Sequence, residues 1–477
     1  MDFAAFRLPC GVWKTMEKTA EPSRLLPLLL AAAVFMQMLD STVLNTALPL
    51  IAADLHQSPL NMQSAVVSYA LTLAMLMPAS AYLSERFGTR QVFSAAMLVF
   101  VAGSLLCALA PSLPMLVLAR VIQGAGGAML APAPRQILMQ AYDKNRLLGM
   151  MNFVVMPALL GPVVGPLLGA YLAEYAGWHW IFLINVPFGL AAAWLARTVM
   201  PDFRGEGTIP AFDLAGFLLF GGAAAGLSMA VEIMHFPRYG AFAALLALLS
   251  LLAAAAYWRH AARAAQPLYS PQLLRVRTYR IGLSGNFASR LGVSALPFLL
   301  PLLLQVAFAY SATAAGWALA PIALASIAAK PAIRPLMLRF GYRRVLVANT
   351  LLLGVLIMLL ALPDAHTPLW LLLPLLLALG LSNSIQFTAM NTLTLADLAP
   401  VQAGSGASLM TVNQQLAIGF GTAIGASLLQ YFSTLAPLGG DVHAAFRCTF
   451  AAVGVLTLLS AAVFARLRPA DGSNLVA

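Results

Sequence analysis

Charged residues are scarce in this chain. Of its 477 residues only 9% are Asp, Glu, Lys or Arg, whereas 61% are hydrophobic, and the mean hydropathy is +0.86. Soluble globular proteins carry about 25% charged and about 45–50% apolar residues. The composition therefore excludes a soluble enzyme and predicts an integral protein of the lipid bilayer.

Groups that bind metals, cofactors or ATP are equally scarce. Only three cysteines occur, without the paired spacing of a zinc site or a disulfide framework. The six histidines fall in loops or at the ends of apolar runs, with no H-E-x-x-H pattern, and the sequence contains no G-x-x-x-x-G-K-[ST] phosphate loop. We expect no catalytic centre, no metal and no cofactor.

The first 24 residues lack both an uninterrupted apolar stretch and a small-residue cleavage site, so no cleaved signal peptide is predicted. Met16 begins the stretch Met-Glu-Lys-Thr just before the first apolar run. Translation could therefore start at Met1 or at Met16, and the sequence leaves the choice open.

Long apolar runs fill most of the chain. Each has about the 20 residues that a helix needs to cross a hydrocarbon core. They are near-continuously apolar rather than alternating, which favours helices over a membrane barrel. The fourteen runs lie near residues 25–50, 62–83, 92–110, 114–138, 147–172, 180–198, 213–234, 240–258, 281–307, 312–333, 345–362, 368–394, 403–431 and 447–466.

The distribution of Lys and Arg tests this number of spans, because basic residues collect in the cytoplasmic loops of membrane proteins. With the amino terminus in the cytoplasm, 22 of the 27 basic residues lie on that side. Arg238 and Arg447 lie outside, and Arg120, Arg290 and Lys330 fall within spans. The sequence thus predicts an all-α membrane protein with fourteen spans and both termini cytoplasmic. The net charge of +11 then reflects topology and requires no nucleic acid partner.

A short repeat indicates how the spans are organised. The pattern R-F-G-x-R-x-V begins at Arg86, after the second span, and again at Arg339, after the tenth. Two parallel six-helix repeats would place both copies equivalently, as in transporters whose two bundles rock about a central site. Chance similarity between basic turns is the alternative. The predicted units are a cytoplasmic amino-terminal segment (1–24), a first bundle (25–198), two inserted helices with their loops (199–280), a second bundle (281–468) and a cytoplasmic tail (469–477).

Asp40 is the only acid deep inside a predicted span. Gln37, Ser41 and Asn45 recur around it at three- and four-residue spacing, so one polar stripe runs along an apolar helix. Burial of a carboxylate favours its protonated form, which suits a group that alternates between a proton and a cationic substrate. The alternative is a structural carboxylate that is hydrogen-bonded to another helix.

The fourth span carries a permanent cation, Arg120, on one face with Gln123 and two glycines. Arg120 could be the counter-charge of Asp40, or it could donate to backbone carbonyls of an adjacent helix, and the sequence leaves both open. In the fifth span Gly161 and Gly165 are spaced by four with Pro162 between them, which predicts a close packing face on a kinked helix.

The second half contributes further polar residues within its spans. Arg290 is the second deep cation and is expected to reach the central cavity or an acidic or carbonyl partner, whereas Lys330 is close enough to the cytoplasmic end to snorkel. Interhelical hydrogen bonding is the alternative role for the uncharged ones. The remaining cavity candidates of this half are Asn286, Gln305, Gln386 and Asn413.

Several segments resemble, in order along the chain, motifs of the major facilitator superfamily and of its fourteen-helix drug:proton antiporters. Residues 83–90 (LSERFGTR) resemble the superfamily's loop signature, with Glu85 where Asp is usual. In residues 161–166 (GPVVGP), Pro166 replaces the commoner second Gly of the antiporter motif. The other matching segments are 39–49 (LDSTVLNTALP), 120–127 (RVIQGAGG) and 178–187 (WHWIFLINVP).

The resemblance implies the major facilitator fold, a bacterial inner-membrane location and roles for particular residues. By it, Asp40 and Arg120 take part in proton coupling, and Gly161, Pro162 and Gly165 form a hinge that limits leak. A cytoplasmic conformational latch would consist of Glu85, Arg86, Gly88 and Arg90.

The function predicted from these features is proton-coupled export of small amphipathic compounds by alternating access. Arg120 and Arg290 are two deep cations against one deep acid, and they keep open a second possibility, transport of a narrow and possibly anionic metabolite. A membrane sensor or assembly protein without transport is a third. The sequence leaves the substrate and oligomeric state undetermined, and a monomer suffices for the predicted mechanism.

Overall fold

The computed structural model describes residues 23–205, 211–234, 237–435, 441–472 and 475. Both alternative start positions, Met1 and Met16, lie outside the described residues, as do residues 206–210 after the sixth predicted span. Within the described ranges every regular element is a helix. The prediction of an all-α protein is therefore confirmed.

Eighteen α-helices occur in the described part of the chain, and we number them α1 to α18 in chain order. They are Leu25–Val43, Leu48–Asp54, Gln63–Phe87, Thr89–Ala108, Leu113–Leu130, Ala133–Ala141, Lys144–Tyr171, His179–Leu183, Asn185–Val199, Leu214–Ile233, Gly240–Ala261, Arg277–Val293, Leu296–Leu302, Ala312–Ala328, Lys330–Leu359, Leu369–Leu395, Pro400–Thr434 and Val442–Ala465.

Helices occupy all fourteen predicted spans. Of the described helical segments, twelve are long and apolar enough to cross a membrane. The fifth predicted span is occupied by α7 with 28 residues, and the tenth by the shorter α14 with 17. Helix α15 passes from the end of the tenth span into the eleventh through a non-helical residue, Gly341, at φ +75°.

The first and ninth spans are each broken at corresponding places. Residues 44–47 separate α1 from α2, and residues 294–295 separate α12 from α13. Pro49 and Pro297 stand in the first turn after each break, where the missing N–H of proline leaves no hydrogen bond unmade. Each broken span therefore consists of two helical segments.

The helices pack as two groups that flank a shared interface. In the first group α1 packs against α7, and α4 packs against α5 and α9. In the second group α12 packs against α16, α17 and α18. The groups meet along α3 with α17 and along α7 with α14. The inserted helix α10 lies beside this interface, in contact with both α3 and α17, and α11 packs against α10.

The apolar core differs between the two ends of the bundle. We call the end with the loops at residues 86–90 and 339–344 the basic end. At the opposite end one hydrophobic cluster combines side chains of both groups, including Leu48, Phe182 and Phe298. At the basic end each group has its own cluster, and a small cluster of α3, α17 and Tyr269 bridges them beside α10. The groups are therefore packed together most extensively at the end opposite the basic loops.

Candidate functional site

Asp40 lies at the centre of a buried polar cluster made by four helices. Its Oδ2 accepts a hydrogen bond of 2.8 Å from Arg120 Nη1 on α5. Its Oδ1 accepts from Gln123 Nε2 at 2.7 Å and from Asn185 Nδ2 on α9 at 3.0 Å. Ser104 on α4 accepts a second hydrogen bond from Gln123 at 2.8 Å. Three donors aimed at two oxygens fit the ionised carboxylate, which only accepts hydrogen bonds.

Arg120 satisfies both alternatives that the sequence left open. It pairs with Asp40, and its Nε also donates to the backbone carbonyl of Ala65 on α3 at 3.2 Å. The guanidinium lies 4.0 Å from the centre of the Tyr69 ring, in cation–π geometry. Arg120 and Asp40 are each only 1% exposed. The two charges therefore neutralise each other out of contact with water, an arrangement in which loss of either one is costly.

The polar stripe of α1 faces in more than one direction. Gln37 is buried like Asp40 and donates to the carbonyl of Gly127 on α5 at 3.2 Å. Ser41 is half-buried and bonds to its own helix, at Met38 O. Asn45 is buried within the break between α1 and α2. Of the predicted cavity residues, Gln37 and Gln123 thus lie inside the first helix group.

A second polar cluster lies in the other group, around Arg290 on α12. Arg290 Nε donates to Asn286 Oδ1 at 2.7 Å, and Asn286 Nδ2 donates to Asn391 Oδ1 on α16 at 3.0 Å. Gln414 Nε2 on α17 donates to the same Asn391 oxygen at 2.8 Å. The Arg290 guanidinium lies 4.7 Å from the centre of the Phe387 ring. Arg290 therefore has amide and aromatic neighbours and, in the described part of the chain, no ion pair.

Lys330, at the start of α15, is exposed. Its ammonium group lies 3.4 Å from Thr388 Oγ1 and 6.0 Å from the centre of the Phe387 ring, both on α16. Lys330 therefore approaches the same ring as Arg290.

The other predicted cavity residues of the second half lie elsewhere. Gln386 is buried between α16 and α15, where it hydrogen-bonds to Asn349 at 2.8 Å and to Thr350 at 2.7 Å. Asn413 on α17 donates to Leu283 O on α12 at 3.1 Å. Both contacts join helices of one group, as expected for interhelical hydrogen bonds. Gln305 instead connects the two groups, because its Nε2 donates to Thr46 O at 2.9 Å.

The predicted latch residues contact the chain after α9. Arg90 Nε donates to Met200 O at 2.6 Å, and its backbone N–H donates to Asp202 Oδ1 at 3.2 Å. Gly88 adopts φ +93° against the same Asp202 carboxylate. Arg86 donates to Tyr82 OH on its own helix at 2.6 Å. Among the described residues the exposed carboxylate of Glu85 forms no ion pair with Arg86 or Arg90.

The glycines of α7 pack directly against α1. A Cβ atom at Gly161 would lie 2.7 Å from Met38 Cβ, and one at Gly165 would overlap the Thr42 hydroxyl. Thr46 in turn donates to Pro166 O at 2.8 Å. The helix that carries Asp40 is therefore fixed against α7 through closely spaced backbones, as the four-residue glycine spacing predicts.

Sequence reasoning missed Ser104 and Asn185 as members of the Asp40 cluster. Asn185 stands within the segment 178–187, which resembles an antiporter motif. Its burial at the start of α9 could have been suspected from an amide within an apolar run. Ser104 offers no comparable signal, since serine is common in membrane helices.

Comparison with known proteins finds a family model and many relatives. The model described as Major Facilitator Superfamily matches residues 30–263 and 282–476. The relative named "Putative multidrug resistance protein MdtD" from Pectobacterium atrosepticum is 40% identical, covering 92% of this chain and 95% of its own. The protein of the same name from Salmonella paratyphi A is 42% identical, covering 94% and 96%.

Solved structures with the same fold are much less similar in sequence. A D-xylose-proton symporter superposes with a TM-score of 0.67 at 14% identity, over 94% of this chain and 98% of the symporter. The POT family transporter PepTSo gives 0.68 at 14% identity, over 93% and 97%. At this identity the likeness concerns the fold alone.

Proposed function

Because this chain belongs to the major facilitator superfamily, we propose that it is a proton-coupled antiporter that exports small amphipathic compounds by alternating access. It is a multi-pass membrane transporter of small molecules and not an enzyme. The proposal adds the direction of transport, the coupling ion and the kind of substrate. The observation that carries it is the buried pair of Asp40 and Arg120.

The Asp40 cluster supports proton coupling because protonation would change every contact it makes. A protonated carboxyl group loses its charge and one acceptor position. Arg120 would then be a buried cation without a counter-charge, a costly state that a rearrangement of α1 against α5 would relieve. Proton binding at Asp40 can thus favour one conformation of the bundle over another.

Helix α1 connects Asp40 with the interface between the two helix groups, so a shift of this helix can change contacts at the interface. Thr46, whose carbonyl accepts from Gln305, lies six residues after Asp40, about 9 Å along a helix at ~1.5 Å per residue. Thr46 itself lies in the break at residues 44–47. We infer that a shift of α1 on protonation alters this contact and so weakens the packing at the end opposite the basic loops.

The proposed orientation follows from the basic loops. Lys and Arg favour the cytoplasmic side, so the basic end and both termini would face the cytoplasm of a bacterial inner membrane. The conformation described here would then be closed toward the outside. The unit that rocks would be residues 25–198 against residues 281–468, within a monomer. Inward proton movement supplies about 2.3 kcal/mol per charge per 100 mV of membrane potential.

The second candidate is a narrow substrate range that is limited to an anionic metabolite. It is favoured by the position of Arg290, whose charge has no acidic partner among the described residues. The two candidates share fold, coupling and direction, and they differ in the charge of the exported compound.

The test uses everted membrane vesicles from an efflux-deficient host, with a dye whose quenching reports the pH gradient. Cationic, neutral and anionic compounds are added to vesicles with wild type, Asp40→Asn or the control Asp364→Asn, which changes an acid in an exposed loop. We expect dequenching by some compound with wild type and the control, and none with Asp40→Asn. No response to any compound with wild type would contradict antiport and favour a protein without transport.

A further inference from the structure

Arg290 has a hydrogen-bonding group that the protein leaves unused. Its Nη2 atom is buried and has no hydrogen-bond partner, although its Nε is held by Asn286 at 2.7 Å. A buried donor of a charged group without a partner is costly and needs an explanation. A ligand that accepts from this nitrogen is one such explanation.

The charge of Arg290 is also uncompensated. Arg120, the other deep arginine, is neutralised by Asp40 at 2.8 Å. For Arg290 no corresponding acid exists in the described ranges, and Lys330 brings a second positive charge to the same Phe387 ring. Two cations beside one ring repel each other, and an anion that contacts both would relieve this repulsion.

The neighbouring amides hold Arg290 in one orientation. Asn391 Oδ1 accepts from both Asn286 Nδ2 and Gln414 Nε2, so the oxygen of Asn286 is directed toward Arg290. This chain of amides fixes the Nε side of the guanidinium. It leaves the Nη2 side for another acceptor. Asn286 and Asn391 are therefore positioning residues.

Phe387 determines what kind of anion fits. Phe387 on α16 is 40% exposed, and its ring centre lies 4.7 Å from the Arg290 guanidinium and 6.0 Å from the Lys330 ammonium group. An exposed aromatic surface beside a guanidinium suits a compound with an apolar portion next to its charged group. Carboxylates and phosphates are the groups that arginine binds with two parallel hydrogen bonds.

We propose that Arg290 and Lys330, beside Phe387, form the site that binds a carboxylate or phosphate group of the exported compound. The exported compound is then an amphipathic organic anion. This inference rests on the proposed export function and specifies its substrate class.

The experiment measures binding of three naphthalene derivatives to purified protein in nanodiscs of phosphatidylcholine. The probes are naphthalene-2-carboxylate, its neutral alcohol and its aminomethyl cation, which share one ring system and differ in charge. We expect the carboxylate to bind most tightly to wild type. Arg290→Gln and Lys330→Gln should each weaken carboxylate binding at least about tenfold, because each removes one charge-assisted hydrogen bond. Neither variant should change the affinity for the alcohol.

Further variants separate a site from a fold defect. Arg334→Gln, which changes an exposed arginine on the same helix as Lys330, should bind all three probes as wild type does. Asn391→Ala should weaken only the carboxylate, and Arg290→Lys should restore part of the affinity lost in Arg290→Gln. Equal affinity for the three probes, or preference for the cation, would overturn the proposal.

Two further measurements complete the test. The first distinguishes binding of a lipid headgroup from binding of a substrate. The second distinguishes failure of the anion site from failure of the proposed antiport. If phosphatidylglycerol in the nanodisc abolishes carboxylate binding to wild type and not to Lys330→Gln, the site holds a lipid phosphate and the substrate assignment is wrong. Asp40→Asn should keep charge-selective binding while losing pH-gradient dissipation in vesicles. If wild type binds the carboxylate selectively but no compound dissipates the pH gradient, antiport is refuted and the anion site is not. If only cationic compounds dissipate the pH gradient, the anion site is refuted and antiport is not.

Discussion

Gln305, in the π-helical turn after α13, donates a hydrogen bond of 2.9 Å to the carbonyl oxygen of Thr46, in the break between α1 and α2. The contact joins the two helix groups at the end opposite the basic loops. At the same end Glu174 Oε2 accepts a hydrogen bond of 2.8 Å from the backbone N–H of Thr313. Both contacts must separate if that end opens during transport.

Gln305→Ala should therefore favour opening at that end. Loss of one hydrogen bond of about 0.5–1.5 kcal/mol would raise the open population roughly two- to tenfold. The measurement is the rate at which a membrane-impermeant maleimide labels a cysteine placed at the buried Ala47, in a chain whose native cysteines are replaced by alanine. Gln57→Ala, in an exposed loop, is the control. An unchanged labelling rate would show that the contact does not stabilise the closed end.

The charges of Asp40 and Arg120 should depend on each other for stability. Asp40→Asn or Arg120→Gln alone leaves one buried charge unpaired, and we expect each to destabilise the protein by about 3–5 kcal/mol. The double variant removes both charges and should regain most of this stability without regaining proton coupling. Thermal unfolding of the four purified proteins gives the comparison. Additive losses in the double variant would mean that the pair does not act as a unit.

The two glycines of the repeated loop pattern should respond differently to substitution. Gly88 and Gly341 both have positive φ with extended ψ, a region that other residues adopt at a cost of about 1–3 kcal/mol. A Cβ at Gly341 would meet open space, whereas one at Gly88 would overlap the Asp202 carboxylate. Gly88→Ala should therefore lower the thermal midpoint more than Gly341→Ala. Equal shifts would indicate that Asp202 moves aside freely.

Asp213 connects the two inserted helices at the basic end. Its carboxylate contacts His260 Nε2 at 2.6 Å and accepts from the backbone N–H groups of Gly216 and Leu268. Burial raises the pKa of Asp213, but these hydrogen bonds outweigh it and lower the pKa below its usual value.

The stabilisation by Asp213 should therefore be present at neutral pH and be lost as pH falls below the usual aspartate range. We expect Asp213→Ala to lose about 0.5–2 kcal/mol at neutral pH, the usual value of a helix cap. The thermal midpoints of wild type and Asp213→Ala, measured from about pH 7 down to about pH 3, should converge in acid. A constant difference across this range would contradict the assigned role of the ionised carboxylate.

The fold was largely predictable because membrane spans have a strong signal. A continuous apolar run of sufficient length specifies a helix almost regardless of what packs on it. The breaks at residues 44–47 and 294–295 were missed, although Pro49 and Pro297 marked them, because a proline within an apolar run does not say whether the helix kinks or ends.

The candidate site was predictable only in part. Asp40 and Arg120 stand out because buried charge is rare, and a pair is the least costly solution for both. Helical periodicity gives the face of α16 on which Gln386 lies, but it does not say which helix packs against that face. The hydrogen bonds of Gln386 to Asn349 and Thr350 could therefore not be predicted. The same limit applies to Ser104 and to Lys330. Which helices meet is decided by packing over the whole bundle.

The most direct test of proton coupling at Asp40 compares two kinds of transport in proteoliposomes, using a compound that dissipates the pH gradient in vesicles. Transport driven by a pH gradient requires proton binding, whereas exchange of labelled for unlabelled substrate at equal pH requires only the substrate site and alternating access. We expect Asp40→Asn to lose gradient-driven transport and to keep exchange. Loss of both, or retention of gradient-driven transport, would contradict the assignment of Asp40 as the proton-coupling residue.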